Sequence, residues 1–298
     1  MTTTRITQGM ASSIVLADIQ SASAKAVRLQ EKLSSGKELT SAADDPYAVT
    51  RALQLRNDLA ANQQYQRNVN DANSWHSVTD ATLGHISNYA LRARDLVVQG
   101  ASDTLGPAAR QAIIAELGQL VDSVKSEANS QIGGRYIFAG SATTTKPYAL
   151  GSSDTYAGNT DTMQREIGPG VTIELNEAGS AVIGDGSGGL LKAIRDAIAH
   201  LTSGDTASLQ TTDLSALASA HDGVINLRAE VGARQTRLDT AMSRLQEVEQ
   251  TQTELLSKIE DTDMAKAYVE FSTQQAVYQA ALKAGSQIIQ TSLLDFLR

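Results

Sequence analysis

Residues 264–296 of the chain read MAKAYVEFSTQQAVYQAALKAGSQIIQTSLLDF, a proline-free stretch with apolar side chains at heptad spacing. One set recurs every seven residues, and a second set is interleaved with it, with Gln275 in its one polar position. The two sets are Met264, Phe271 and Tyr278, and Tyr268, Leu282, Ile289 and Phe296. Such spacing keeps one stripe of a helix facing a partner helix. The stretch therefore predicts a helix that packs along another helix.

The opposite end of the chain, residues 6–33, carries a comparable pattern. Its stripe alternates spacings of four and three along Ile6, Met10, Ser13, Ala17, Gln20, Ala24 and Val27. Chain ends are usually the least ordered part of a protein, so helix-pairing stripes at both ends indicate that the ends serve assembly. The predicted assembly interface consists of Ile6, Met10, Ile14, Ala17, Met264, Tyr268, Phe271, Tyr278, Leu282, Ile289, Leu293 and Phe296.

The composition narrows the class of protein. Hydrophobic residues make up 41% of the chain but aromatic residues only 4%, which suits helix–helix packing better than a large enzyme core. A net charge of -8 gives no reason to expect nucleic acid or an anionic membrane as partner. No apolar run is long enough to span a bilayer or to serve as a secretory signal. The absence of cysteine excludes disulfides and thiolate metal sites.

Proline and glycine positions divide the chain. The four prolines stand at 46, 107, 147 and 169, and twelve of the 22 glycines lie between Gly133 and Gly189. The predicted fold is mainly α: a long antiparallel helical bundle or coiled-coil rod formed by the N- and C-terminal arms, with a small β-rich inserted domain. We assign residues 1–44 and 263–298 to a terminal coiled-coil assembly domain, 45–132 and 190–262 to a helical trunk, and 133–189 to a Gly-rich β insert.

The trunk helices are predicted from unbroken periodicity. A 3–4 pattern runs from Leu214 to Ile259, and nine of its fourteen positions are apolar. Asp213 is placed to cap that helix, and Asp45 followed by Pro46 is an N-cap with proline at the first helical position. A third helix is expected from about 107 to 131. The same periodicity continues upstream along Thr79, Leu83, Ile86, Ala90, Ala93 and Val97.

The glycine-rich middle is predicted to form short strands. Arg135–Ala139 is one candidate, and Met163–Ile167 and Val171–Leu175 flank the turn Gly168-Pro169-Gly170, which is a hairpin signal. A segment this small should lean on the helical trunk. Because its strands contain few large apolar residues, we expect it to contribute little to the stability of the trunk.

No catalytic motif is complete. Residues 184–189 (GDGSGG) match the dinucleotide-loop pattern G-x-G-x-x-G, but the heptad helix that follows offers no second strand and no acidic residue at the required distance. A flexible connection is the favoured interpretation. The histidines 76, 85, 200 and 221 form no metal-binding pattern, and His221 is expected to be a hydrogen-bonded core residue. We therefore expect neither a cofactor nor a metal.

The segment Asn62–Ser77 (NQQYQRNVNDANSWHS) is almost wholly polar inside a predicted helix. It has two interpretations that the sequence does not separate. The segment is either a solvated helix face or a subunit contact rich in amide hydrogen bonds, with Trp75 as its anchor.

Several blocks resemble the bacterial flagellin superfamily. Residues 33–37 (LSSGK) and 41–45 (SAADD) are similar to the signature that ends the first flagellin helix, and residues 91–99 (LRARDLVVQ) resemble a later block. Residues 231–238 (VGARQTRL) and 259–263 (IEDTD) are similar to the returning helix. Three further stretches favour the branch that joins hook and filament over the filament flagellins: residues 5–10 (RITQGM), 134–140 (GRYIFAG) and 292–297 (SLLDFL).

The resemblance implies a structural, non-enzymatic flagellar subunit that polymerises through its terminal helices. It implies partners as well: further copies of the chain in a ring or helical layer, another hook-associated protein on the hook side and flagellin on the filament side. It also implies a cytosolic export chaperone bound near the C-terminus, type III export without a cleaved signal peptide, and an extracellular location. The alternatives are a filament flagellin, a cytosolic coiled-coil signalling rod and, remotely, a nucleotide-binding enzyme using residues 184–189.

Overall fold

A computed structural model describes residues 8–41, 43–102 and 106–296, most of which are helical. Its four long helices match the predicted periodic segments. They are α1 (Gln8–Ser35), α2 (Pro46–Gly100), α7 (Leu214–Glu260) and α8 (Met264–Phe296), and between them lie α3 (Pro107–Ala128), α4 (Gly179–Val182), α5 (Gly189–Ser203) and α6 (Thr206–Ser208). The prediction of a mainly α fold with small antiparallel sheets is confirmed.

The strands form two separate two-stranded antiparallel sheets. The first pairs β1 (Gln131–Ile132) with β2 (Arg135–Tyr136), and the second pairs β3 (Gln164–Gly168) with β4 (Val171–Glu174). The predicted hairpin is confirmed. The predicted strand over residues 135–139 is wrong beyond its second residue, because Gly133 and Gly134 turn the chain in the left-handed region and pair it with β1 over two residues.

The chain divides into two compact units. The terminal unit comprises Met1–Ala61 and Val248–Arg298, and the central unit comprises Asn62–Glu247. These boundaries fall within α2 and α7 and do not coincide with those of the three predicted domains. The three-part division therefore stays a prediction.

Helices α2 and α7 form the core of the central unit along the predicted lines. Thr79, Leu83, Ile86, Ala90, Ala93 and Val97 of α2 are all buried, as are Leu217, Val224, Val231 and Leu238 of α7. His221 also lies on this stripe, where its Nε2 is 3.0 Å from Ser87 Oγ. The expected hydrogen bond is confirmed, but the side chain is partly exposed and lies at the edge of the core. The periodicity predicted these positions correctly, because inward-facing residues of a long helix recur at a spacing of three and four residues.

The insert shares that core, contrary to expectation. Tyr148 and Phe138 are fully buried, and Ile167, Ile173 and Ile183 join the same continuous cluster as the helices. Lys125 of α3 is fully buried as well. Its ammonium donates to the carbonyls of Gly151 (2.8 Å) and Ser153 (2.7 Å) and lies 2.5 Å from Asp154 Oδ1. The insert supplies both large apolar side chains and the partners of a buried charge, so the prediction that it adds little was wrong.

The start of α7 differs from the predicted cap. A π-helical turn, Leu209–Asp213, continues the helix backward, and Asp213 is buried with its Oδ2 2.8 Å from His200 Nδ1. Asp205 instead caps the start of α6, because its carboxylate accepts from the backbone N–H of Ser208, the last residue of that short helix. By contrast, Asp45 caps α2 as predicted, accepting from the N–H groups of Tyr47 and Ala48 at 3.0 Å each.

The polar segment Asn62–Ser77 has two faces. One face is exposed through Gln64, Arg67, Asn70 and Ser74, as the solvated-face interpretation expects, whereas the other packs into the central unit. Trp75 and His76 are buried inside the central unit, so Trp75 is not an exposed subunit anchor. The polar side chains hold the hairpin instead: Asn68 Nδ2 donates to Glu166 O at 2.7 Å, and Asp71 lies 2.6 Å from Arg165. His76 Nε2 lies 3.1 Å from Glu174 O. The segment is therefore the docking face for β3 and β4.

Candidate assembly surface

Helices α1 and α8 pack against each other within the terminal unit. On α8 the inward positions follow a 4–3 pattern through Ala267, Phe271, Gln274, Tyr278, Ala281 and Gly285. At Gly285 a Cβ atom would lie 3.0 Å from Val15 and 3.1 Å from Ile19, so the helices approach closely there. Gln274 Nε2 donates to Ala22 O at 3.1 Å. The seam combines small residues with one amide hydrogen bond and buries only one face of each helix.

The other faces of both helices expose apolar side chains. On α1 the exposed large ones are Met10, Ile14, Leu16 and Val27, and on α8 they are Met264, Tyr268, Val269, Val277 and Leu282, each between 44% and 65% exposed. Scattered single exposed apolar residues are ordinary, but contiguous exposed apolar faces mark interaction sites. Two paired helices that expose several large apolar side chains each present surfaces suited to further helices.

The predicted interface residues fall into three groups. Met10, Ile14, Ala17, Met264, Tyr268 and Leu282 lie on the exposed faces, whereas Phe271 and Tyr278 are half-buried on the seam side of α8. Ile6 lies outside the described residues, as do the side chains of Ile289, Leu293 and Phe296. The seam of α1 was not among the predicted interface residues; it runs through Val15, Ile19, Ala22, Ala26 and Leu29. That stripe has the same 4–3 spacing and is more apolar than the one chosen, so its composition was the signal available.

Two linkers of the terminal unit, the one after α1 and the one after α7, contact each other. The residues after α1 pair with those after α7: Glu38 N donates to Glu260 O at 2.6 Å and Thr262 N to Gly36 O at 3.0 Å. Gly36 has a φ of 67°, which favours glycine. Lys37 Nζ lies 2.7 Å from Asp261 Oδ1, and this hydrogen bond raises the pKa of Lys37 and lowers that of Asp261. Two of the flagellin-like sequence blocks thus meet in space.

Glu260 completes this fastening and is almost fully buried. Its carboxylate lies 2.8 Å from Arg56 Nη2 and 3.4 Å from Lys37 Nζ. A buried carboxylate needs such partners because desolvation of an unpaired charge costs several kcal/mol. In the sequence, this block stands out only by its resemblance to flagellins. Its physical role became visible from contacts between residues that are more than 200 positions apart.

The glycine-rich loop 184–189 is closely packed. In the loop 184–189, a Cβ atom on Gly184 would lie 1.9 Å from Gly188 O, so the glycines allow the loop to fold on itself. Tyr148 Oη donates to Gly184 O at 2.6 Å, and burial raises the pKa of this phenol far above its usual range. Within the described part of the chain, no cluster of histidine or acidic residues is arranged to hold a metal ion.

No helix in the described ranges is long and apolar enough to cross a lipid bilayer. The main features are the paired terminal helices, their exposed apolar side chains and the contacts between the linkers 36–38 and 260–262. Together they are typical of a structural subunit built for self-assembly.

Comparison with known protein families identifies the family to which the chain belongs. The model of the bacterial flagellin N-terminal helical region matches residues 6–143, and that of the bacterial flagellin C-terminal helical region matches residues 214–297. The two matches cover both arms of the fold. The chain belongs to the bacterial flagellin family, and it is a flagellar structural protein.

Individual relatives lie within this family. Flagellar hook-associated protein 3 of Escherichia coli (strain K12) is 25% identical over 300 residues, covering 93% of this chain and 94% of the relative. The flagellar filament 30.7 kDa core protein of Treponema maltophilum is 27% identical over 253 residues, covering 85% and 84%. Among solved structures, a candidate flagellar hook-associated protein from Vibrio parahaemolyticus is 26% identical with a TM-score of 0.67, covering 73% of this chain and 100% of that one.

Proposed function

We propose that the chain is the structural subunit that joins the flagellar hook to the filament. The observation that carries this proposal is the similarity to flagellar hook-associated protein 3 along nearly the full length of both chains. The similarity to a hook-associated protein of known structure, at 26% identity over the whole of that chain, supports the same assignment. We propose a non-enzymatic role, because the family and the relatives that the chain matches are flagellar structural proteins.

Assembly proceeds through the terminal helices. The outer faces of α1 and α8 expose apolar area that the free chain leaves in water, and its removal on assembly is favourable by about 25 cal/mol per Å². The contact repeats around an axis because the surfaces that meet are different parts of two copies. The partners are other copies in a ring or helical layer, another hook-associated protein on the hook side and flagellin on the filament side.

Export and location follow from membership of the flagellum. The subunit is exported through the flagellar type III apparatus without a cleaved signal peptide and resides outside the cell. An export chaperone binds near the C-terminus in the cytosol. The exposed apolar face of α8, which includes Tyr268 and Leu282, is a surface that such a chaperone would shield before assembly.

A deletion strain tests the proposal. Cells lacking the chain should build hooks but no filaments, and they should release unpolymerised flagellin into the medium. Reintroducing the chain should restore filaments. Normal filaments in the deletion strain would refute the junction role.

A second candidate is a filament subunit, which the Treponema maltophilum filament relative favours. The two functions differ in how much of the chain the flagellum contains. A filament subunit forms the bulk of sheared filaments and elongates them on its own, whereas a junction subunit is a minor component at the filament base. Immunogold labelling of isolated flagella distinguishes a label along the filament from a label at the hook end.

A further inference from the structure

Tyr47 is the most exposed of the large apolar side chains in the described residues, at 82%. Its backbone is nevertheless rigid, because it is the second residue of α2, follows Pro46 and donates its N–H to the Asp45 cap. Exposed tyrosines on rigid elements supply large contact area at low cost in conformational entropy, and tyrosine is enriched among the dominant residues of interfaces. Arg51, Gln54 and Asp58 follow Tyr47 along the same stripe of the helix.

A groove in the same terminal unit has no occupant of its own. It has a volume of about 890 Å³ and lies between α1, α8 and the linker that precedes α2. Leu29, Leu39, Ile259 and Val269 give it apolar walls, and Val269 is 62% exposed. A groove of this size with apolar walls accommodates an aromatic side chain from another molecule.

The groove cannot be filled by the Tyr47 of its own chain. Ala48 lines the groove, and neighbouring residues of a helix point about 100° apart. Tyr47 is not among the residues that line the groove, and its side chain is exposed, so the ring projects into solvent outside it. A projecting side chain and a groove at different positions of one unit allow a head-to-tail contact between copies.

The charges of the two surfaces are complementary. Lys25 and Arg28 on the α1 side of the groove form no salt bridge within the described part of the chain, and the same holds for Asp58 on the Tyr47 stripe. On the opposite side of the groove, the exposed carboxylate of Glu270 lies 4.0 Å from Lys266 and offers a partner for Arg51. The groove is also lined by Asp44, Asp45 and the pair Lys32–Glu38, so a stripe with one cation and one anion meets a groove that carries both signs.

We propose that Tyr47 of one copy inserts into the groove between α1 and α8 of the next copy, with Asp58 facing Lys25 and Arg28. This inference rests on the proposed function, because it describes how neighbouring subunits contact each other in the flagellum. Each copy carries one Tyr47 and one groove, so the contact propagates from subunit to subunit.

The natural absence of cysteine makes a direct test possible. The double variant Tyr47→Cys, Val269→Cys is produced in the deletion strain, and isolated flagella are treated with a short bismaleimide cross-linker. We expect a ladder of multimers on denaturing gels, because every subunit links to two neighbours. The matched control, Leu53→Cys with Val269→Cys, places the first cysteine on another face of α2 at 52% exposure and should give no ladder.

The possible outcomes separate the two proposals. If the double variant is incorporated but gives no cross-links, gives only dimers, or gives the same ladder as the control, this inference is overturned. The proposed junction role is unaffected by any of these results. Because Tyr47→Cys removes the ring itself, a second pair, Gln54→Cys with Thr273→Cys, retains Tyr47 and must also give multimers. Absence of the wild-type chain from isolated flagella overturns the proposed function, and this inference with it.

Discussion

At the scale of single residues, the buried cation Lys125 shows how a surface-prone side chain becomes part of the fold. Its ammonium is satisfied by two carbonyls and by Asp154, which also accepts from Arg195 Nε at 3.0 Å. These hydrogen bonds oppose the effect of burial and lower the pKa of Asp154. Nothing in the local sequence around Lys125 marks it as buried, because its partners come from the insert.

Replacing Lys125 by Met should destabilise the central unit strongly. Removal of Lys125 leaves the Ser153 carbonyl without its donor, and Asp154 and the Gly151 carbonyl keep only Arg195. Breaking a buried pair costs about 3–5 kcal/mol, and Arg195 should offset part of that cost. The control is Lys192→Met, since Lys192 forms an exposed pair with Asp196 whose loss costs about 1 kcal/mol or less. Urea unfolding followed by circular dichroism measures both variants. Equal losses would show that the Lys125 cluster is not a buried network.

Two histidines should give the stability opposite dependences on pH. Burial, aided by Arg234, lowers the pKa of His76, so the unfolded chain takes up that proton first and stability falls as pH drops below about 6.5. The hydrogen bond to Asp213 raises the pKa of His200, so its stabilisation is complete below about 6.5 and is lost as pH rises through the folded pKa.

Single variants separate the two contributions. His76→Gln should flatten the loss of stability on the acid side, whereas His200→Gln should lower stability mainly at acidic pH. Thermal unfolding midpoints measured from pH 5 to pH 8 provide the comparison with the wild-type chain. The same pH slope in both variants would contradict the assignment.

At the scale of elements, the insert and the α1–α8 pair show what periodicity leaves open. The hairpin β3–β4 was found from its turn residues, but its docking face on α2 was not. From the sequence, polar residues such as Asn68 and Asp71 are interpreted as solvated or intersubunit positions. In the structure, Asn68 contacts Glu166 and Asp71 contacts Arg165. Hydrogen-bond partners of this kind are chosen by tertiary structure.

Replacing the insert from Gly140 to Gly186 by a short linker should reduce helix content at room temperature. The deletion removes Tyr148, Ile167, Ile173 and Ile183 from the common core and takes away the partners of Lys125. Loss of a single large core residue costs about 2–5 kcal/mol, so the combined loss exceeds the stability of a typical domain. Insertion of three residues at the exposed turn beside Gly170 is the control. Unchanged helical circular dichroism in the deletion would restore the view that the insert is independent.

The close approach of α1 and α8 predicts the effect of enlarging Gly285. Gly285→Leu places a side chain where Val15 and Ile19 already lie, and such overpacking costs about 1–3 kcal/mol. Gly223→Ala on α7 is the matched helical control, since a Cβ there meets no described atom within 4 Å and alanine is favoured by about 1 kcal/mol. We expect proteolysis of the α1–α8 pair to be faster in Gly285→Leu than in the wild-type chain, and unchanged in Gly223→Ala. Equal resistance would place the seam elsewhere.

At the scale of the whole molecule, the exposed faces of the terminal helices connect the fold with assembly. Leu282 is 44% exposed, so Leu282→Asp should leave the free chain folded. In an assembled interface the same carboxylate would be desolvated, at a cost of several kcal/mol unless it is neutralised. The variant should therefore fail to restore motility to a deletion strain, whereas Leu150→Asp, on the insert at 56% exposure, serves as the exposed control. Normal motility with Leu282→Asp would exclude this face from the assembly surface.

The sequence by itself determined the helices and the inward lines of α2 and α7, because helical periodicity is a local property that every turn of the chain repeats. It also determined the hairpin, whose turn residues restrict the backbone directly. Tertiary structure alone decided that Asp213 pairs with His200 and that the insert completes the helical core. Each of these choices depends on contacts between residues distant in sequence, and their free energy exists only once the chain has brought them together.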